Sequence, residues 1–165
     1  MKHLNLLQSK ILTPNALDTQ VKNWRLSGEK IVFTNGCFDL IHLGHIDYLA
    51  RAKDLGGKLV VGLNSDFSIS NLKGSNRPIK DQRSRAVLLA SMQFVDAIVL
   101  FGDRTPIELI SSISPDILVK GGDYIVTEII GYDWVTSYGG EVVALEFVAG
   151  YSSTKMIEKI IKTDG

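Results

Sequence analysis

Two histidines flanking a leucine and a glycine, His42-Leu43-Gly44-His45, are the residues of this chain best placed to do chemistry. Three positions apart, they share one face of a helix. Just upstream, Ile31-Val32-Phe33-Thr34 is a short apolar run leading into Asn35-Gly36, the pattern of a buried strand that ends in a turn. The histidines therefore fall at the start of the helix that follows. A helix start offers free backbone N–H groups and the positive end of its dipole, and Gly44 removes a side chain where an anion would approach the backbone. Together these features describe a phosphate site. Each histidine taken alone is equally explained as a hydrogen-bonded structural residue. Paired histidines at helical spacing also ligate zinc, but no further histidine or cysteine stands at a matching spacing, so no protein metal ligand is assigned.

The elements around this motif alternate. Thr13-Pro14 reads as an N-cap followed by proline at the first helical position, with Leu17, Val21 and Trp24 on one face and Gly28 as the stop. After the histidines, Ile46, Leu49, Ala52 and Leu55 form an apolar face, and Gly56-Gly57 ends that helix before the strand Lys58 to Leu63. The stretch Leu72 to Pro78 reads as a polar loop, followed by a helix capped near Asp81 that carries Ala86, Leu89, Ala90 and Phe94 inward. Strands are predicted at Ala97 to Phe101, Ile117 to Lys120 and Glu141 to Phe147. Helices are predicted from Thr105-Pro106 with Glu108 completing a capping box, around Tyr132 to Tyr138, and from Ser152-Ser153-Thr154 onward. Five strands that are nearly continuous apolar runs, separated by helices, predict an α/β, Rossmann-like, doubly wound five-stranded parallel sheet with helices on both faces. In such sheets ligands bind beyond the carboxyl ends of the strands, where strand order reverses. The clusters Thr34 to His45, Asn64 to Asp66, Lys120 to Asp123 and Gly150 to Thr154 each follow a predicted strand, so all four belong on one rim.

Composition excludes several classes. The 165 residues suit a single domain, 1–165, in which residues 1–29 form an N-terminal helical extension that packs on the domain or supports a homodimer. Eighteen basic residues balance eighteen acidic ones, so no global field favours nucleic acid or a membrane surface, and any anion must be held locally. Cys37 is the single cysteine, which excludes an internal disulfide framework and fits a reducing cytoplasm. The first residues lack a signal-peptide core, and no stretch approaches the roughly 18 apolar residues of a membrane span, so a cytoplasmic location is expected.

The His-x-Gly-His element after the first strand, together with Ser152-Ser153-Thr154 opening the last helix, resembles the cytidylyltransferase-like branch of the nucleotidylyltransferases. Within it, Phe33-Thr34-Asn35-Gly36-Cys37-Phe38-Asp39, Asn64-Ser65-Asp66, Leu72-Lys73-Gly74, Arg77-Pro78-Ile79 and Leu118-Val119-Lys120-Gly121-Gly122-Asp123-Tyr124 are most similar to D-glycero-β-D-manno-heptose 1-phosphate adenylyltransferases, in a stand-alone form. The resemblance spans roughly residues 31 to 161. It implies in-line attack of a sugar 1-phosphate on the α-phosphorus of ATP, with pyrophosphate leaving and no covalent enzyme intermediate. Such a step needs positioning and charge stabilisation more than a nucleophile, and the chain shows no Ser/His/Asp or Cys/His constellation.

On this resemblance His42, His45 and Lys73 are the catalytic candidates. Thr34, Asn35, Gly36, Cys37, Phe38, Gly44, Lys120, Gly121, Ser152, Ser153 and Thr154 are candidates to bind the nucleotide. Asp39, Asn64, Asp66, Arg77 and Asp123 are candidates for the sugar phosphate. Lys73, in a glycine-containing loop, suits the leaving pyrophosphate, with Arg77 and Arg83 as weaker candidates for that role. Lys120 ends an apolar strand, where a charge needs a partner. For Asp39 the alternative is a turn-capping aspartate, and helix capping alone would explain one residue of the Ser152-Ser153-Thr154 run but not the whole run. Magnesium is expected to arrive on the triphosphate rather than in a protein cage. A glycerol-3-phosphate cytidylyltransferase and a nucleotide-binding module without turnover remain the alternatives. The missing Gly-x-Gly-x-x-Gly and Walker-type loops argue against a dinucleotide oxidoreductase and a P-loop kinase.

Overall fold

The computed structural model describes residues 2–148 and 150–163, so that Met1, Ala149, Asp164 and Gly165 of the expected 1–165 domain lie outside the described residues. In chain order the elements are α1 (Lys2–Gln8), β1 (Ile11–Leu12), α2 (Pro14–Leu26), β2 (Ile31–Gly36), α3 (Leu43–Asp54), β3 (Lys58–Asn64), α4 (Asp66–Lys73) and α5 (Gln82–Ala90). There follow β4 (Ala97–Phe101), α6 (Ile107–Ile113), β5 (Ile117–Gly121), a 3-10 turn (Val126–Glu128), α7 (Tyr132–Ser137), β6 (Glu141–Leu145) and α8 (Ser153–Thr163). The strands form one parallel sheet in the order β1-β4-β3-β2-β5-β6.

Because side chains alternate across a strand, successive residues feed two separate cores. Val32, Leu59, Val61, Leu63, Ile98 and Val119 meet Tyr48, Leu49 and Ala52 of α3 and Ala86, Leu89 and Ala90 of α5 on one face. Ile31, Phe33, Val60, Val99 and Leu118 meet Leu17 and Val21 of α2, Ile110 and Ile113 of α6 and Val135 of α7 on the other. Helices cover both faces, as the apolar strand runs require. The chain winds outward from β2 through β3 to β4, then returns to lay β5 against the other side of β2. The reversal point is thus the crevice between β2 and β5.

Several local expectations change. The sheet has six strands among the described residues, since Ile11 and Leu12 pair with Ile98 and Val99 at the edge. Residues 2–26 are therefore not purely helical: they supply an edge strand, and Leu7 and α2 pack on the two cores. Lys73 is not in a loop but is the last residue of α4, a helix capped by Ser65, whose side chain accepts from Ser68 N. Gly74, at φ 97, ends it in a conformation that other residues adopt only under strain. Thr105 does not cap α6, which starts after Pro106 with no side-chain cap, and Phe94 lies beyond the end of α5 although it still packs on the core. The Thr13 cap forms, accepting from Ala16 N at 3.3 Å. None of the described helices is long and apolar enough to cross a membrane.

Candidate active site

The turn after β2 places the histidines. His42 is the N-cap of α3 with extended backbone and no side-chain cap bond, and His45 lies in the first turn. Their rings stack at 3.9 Å between centroids. A Cβ on Gly44, which is buried, would come within 3.2 Å of the His42 ring and 3.4 Å of Tyr151 Cβ, so glycine here lets the imidazole and the approach to α8 share one space. The Nδ1 atoms of both histidines are buried and have no hydrogen-bond partner among the described residues. Buried polar groups are normally paired, so these two nitrogens are open to a further hydrogen-bonding partner. Burial, then the neighbouring His42 and Lys73, push the His45 pKa down to about 4, and burial lowers that of His42. His45 is thus neutral at pH 7, keeping one N–H to donate and adding no permanent charge.

His45 lines a cleft of about 490 Å³ at the β2–β5 crevice, while His42 and Gly44 stand behind it, outside the lining. Its walls bring together Asn35, Gly36, Cys37 and Phe38 from the turn, Asn64 from the end of β3, Lys73 from α4, Lys120 and Gly121 from β5, and Ser153 from α8. Ser153 Oγ donates to Leu40 O at 3.2 Å, tying the start of α8 to the histidine loop. Lys120 is largely withdrawn from solvent, and burial lowers its pKa. Its Nζ donates to Asn35 Oδ1 at 3.3 Å, and among the described residues no carboxylate pairs with it. A half-buried ammonium satisfied only by an amide is an anion receptor. Arg104 and the aromatic rings of Tyr48, Tyr124 and Phe147 also line the cleft, and sequence reasoning missed them. Phe147 closes on Gly121, where a Cβ would lie 2.5 Å from its ring.

Other expected residues lie elsewhere or have their polar atoms occupied. Thr34 is fully buried beneath the cleft, bonded to the Tyr48 hydroxyl at 2.5 Å. Asp39 borders the cleft, but its carboxylate accepts from Ile79 N at 2.9 Å and Lys80 N at 2.9 Å and pairs with Arg77 Nη2 at 2.9 Å. It behaves as the turn anchor that was the alternative reading, and it delivers Arg77 to the cleft wall. Asp66 pairs with Arg85 at 2.7 Å and accepts from Gln82 N at 3.1 Å, so it does not line the cleft. Asp123 is exposed and outside it, as are Thr154 and Arg83, while Ser152 lies beside it at the α8 entrance.

The residue most conspicuously missed is Arg85. Its side chain is 0% exposed. Its guanidinium donates to Cys37 O at 2.7 Å, Asn64 O at 2.9 Å, Lys80 O at 3.0 Å and Asp66 Oδ1 at 2.7 Å. One planar fork thus holds the loops after β2 and β3 and the segment before α5 in fixed relation. The available signal was its position four residues before Leu89, on the face of α5 that turns inward.

The carboxylate that lines the cleft is that of Asp39. Among the described residues no group of three or more His, Cys, Asp or Glu side chains could hold a metal ion, and Asp39 has its oxygens engaged. Mg²⁺ usually keeps several waters and takes few protein ligands.

The sequence model of the cytidylyltransferase-like family matches residues 33–159, from β2 into α8. This chain belongs to the cytidylyltransferase-like family. The matched stretch contains both the histidine turn and the α8 entrance. Curated relatives include the bifunctional protein HldE of Paramagnetospirillum magneticum, 49% identical over 95% of the chain and 32% of its own length. That of Koribacter versatilis is 50% identical over 92% of the chain and 31% of its own length. The chain therefore spans about a third of these bifunctional relatives. Among solved structures, the lipopolysaccharide core biosynthesis protein of Thermoplasma volcanium is 31% identical with a TM-score of 0.60, covering 73% of this chain and 98% of that one.

Proposed function

We propose that the chain transfers the AMP group of ATP to D-glycero-β-D-manno-heptose 1-phosphate, giving ADP-heptose and pyrophosphate. The observation that carries this reading is the convergence of His45, with His42 stacked on it, and the cations Lys73 and Lys120 on one cleft at the sheet's reversal point. The choice of heptose rests on the closer resemblance of the motifs and on the bifunctional relatives. An oxygen of the sugar phosphate attacks the α-phosphorus, the new O–P bond forms as the bond to the β-phosphate oxygen breaks, and the electron pair leaves on pyrophosphate.

His42 and His45 donate hydrogen bonds to the phosphate oxygens as charge builds on them. Lys73, at the end of α4, neutralises the leaving pyrophosphate, and Lys120 holds the α-phosphate and the incoming phosphate together. Magnesium, when bound to the triphosphate, shields its charge and needs no side chain from this cleft. The use of ATP and a single cysteine, Cys37, which leaves no internal disulfide to form, support a cytoplasmic setting.

Pyrophosphate release with ATP or CTP, each paired with heptose 1-phosphate or glycerol 3-phosphate, tests the reading. The ATP and heptose 1-phosphate pair should be fastest; equal or greater activity with CTP and glycerol 3-phosphate would sink it. His45→Ala should lower kcat by about 10²–10³-fold, roughly 2.7–4 kcal/mol of barrier, with a much smaller change in ATP affinity. Equal loss of affinity, with no pyrophosphate from the wild type, would instead mark a binding module.

A further inference from the structure

Beyond the main cleft lies a second, smaller compartment of about 220 Å³. The two share a wall made by Asn35, Lys120, Pro106, Tyr124 and Ile130. His45, Lys73 and Ser153 face only the larger space, whereas Glu128 and Ile129 face only the smaller one. At ~30 Å³ per water, the smaller space equals about seven waters, which is the scale of one sugar ring and too little for a nucleotide. Its chemistry is also divided. Pro106, Ile129 and Ile130 make an apolar side, Tyr124 offers an exposed ring face, and Glu128, on the 3-10 turn after β5, makes no hydrogen bond or ion pair with its carboxylate among the described residues. An apolar wall and ring with a free carboxylate opposite suit a polyol, which has C–H faces and outward hydroxyl donors.

We propose that this compartment receives the sugar of the acceptor, with Glu128 accepting hydrogen bonds from its hydroxyls and selecting for them. This inference rests on the nucleotidyl-transfer reading above and deepens it. In-line attack requires the acceptor phosphate to lie against the α-phosphate, so the two ligands must meet at a cation both can reach. Lys120 is the cationic side chain that lines both spaces. A sugar 1-phosphate with its ring beside Glu128 and its phosphate on Lys120 points its attacking oxygen into the larger cleft, where His45 and Lys73 hold the triphosphate. The sugar thus moves away from Asp39 and Asp66, whose oxygens are already occupied by N–H groups and arginines.

Steady-state pyrophosphate release on the full chain, varying ATP and heptose 1-phosphate in turn, tests the assignment on Glu128→Gln and Glu128→Trp. Glu128→Gln keeps the shape and removes the charged acceptor; Glu128→Trp removes it and fills the space from a residue that lines only the smaller compartment. Both should raise KM for the sugar phosphate by about tenfold or more while KM for ATP stays within about twofold. Parallel losses toward ATP would give the compartment to the nucleotide, and unchanged constants would remove it from the site; either result overturns the proposal. Should the wild type turn over no sugar phosphate, the transfer reading fails, and saturation-transfer NMR of heptose 1-phosphate beside a non-hydrolysable ATP analogue still decides the compartment. A signal present in the wild type and lost in both variants supports it. A signal absent from the wild type, or kept in the variants, overturns it.

Discussion

The two ends of the parallel sheet treat charge in opposite ways. At the amino ends of the strands, Asp116 accepts from Ile31 N at 2.7 Å, Asp96 accepts from Leu59 N at 2.7 Å and Lys53 Nζ at 2.6 Å, and Lys58 faces Glu29 at 3.4 Å. Each carboxylate there finishes a backbone group or an ion pair. At the carboxyl ends, the buried Nδ1 atoms of His42 and His45 have no partner among the described residues, and among them Lys120 leans on a single amide. Groups that finish the fold are satisfied by the fold, while groups left incomplete mark where a ligand completes them. Arg85 is the informative exception. It sits at the functional end but is saturated like the structural one.

That contrast can be broken at Arg85 first. Arg85→Met should lower unfolding free energy by about 3–5 kcal/mol, because three carbonyls and Asp66 lose a buried charged donor. It should also reduce turnover, since the loops that carry Cys37 and Asn64 are released; denaturant unfolding and pyrophosphate release measured together check both effects. Lys120→Met should do the reverse of a structural change. Turnover should fall by about 10²-fold while stability stays within about 0.5 kcal/mol, because no ion pair is lost and a buried ammonium is removed. A marked loss of stability would mean that Lys120 belongs to the fold. Asp96→Ala should cost about 2 kcal/mol by leaving the Leu59 N–H unpaired, with kcat unaltered, and a changed kcat would blur the division between the two ends.

Much of this division was legible in the residues, and the rest depends on contacts no local pattern reveals. The strands from Ile31, Lys58, Ala97 and Ile117 are continuous apolar runs, so a parallel sheet with a functional carboxyl rim followed directly. The edge strand Ile11–Leu12 was invisible because two residues carry no period, and its partner lies far along the chain at Ile98 and Val99. Helix α4 was missed because DFSISNLK has Ile69 as its one fully buried apolar residue. The histidine turn announced itself by residue type and spacing. Arg85 and Asp66 did not, because what defines each is a carbonyl, N–H or charge on a different loop. Glu128 was silent for a related reason: a short 3-10 turn has no apolar stripe to show which way its side chains face.

Asp39 shows what such a loop-to-loop contact does to the energetics of binding. Its bonds to Ile79 N, Lys80 N and Arg77 strap the stretch between α4 and α5 to the turn after β2. Conformational entropy along that stretch is therefore surrendered during folding, and Arg77 is held at the cleft wall before any ligand arrives. Association at this wall should be governed by diffusion and desolvation of the phosphates rather than by the slow ordering of a loop.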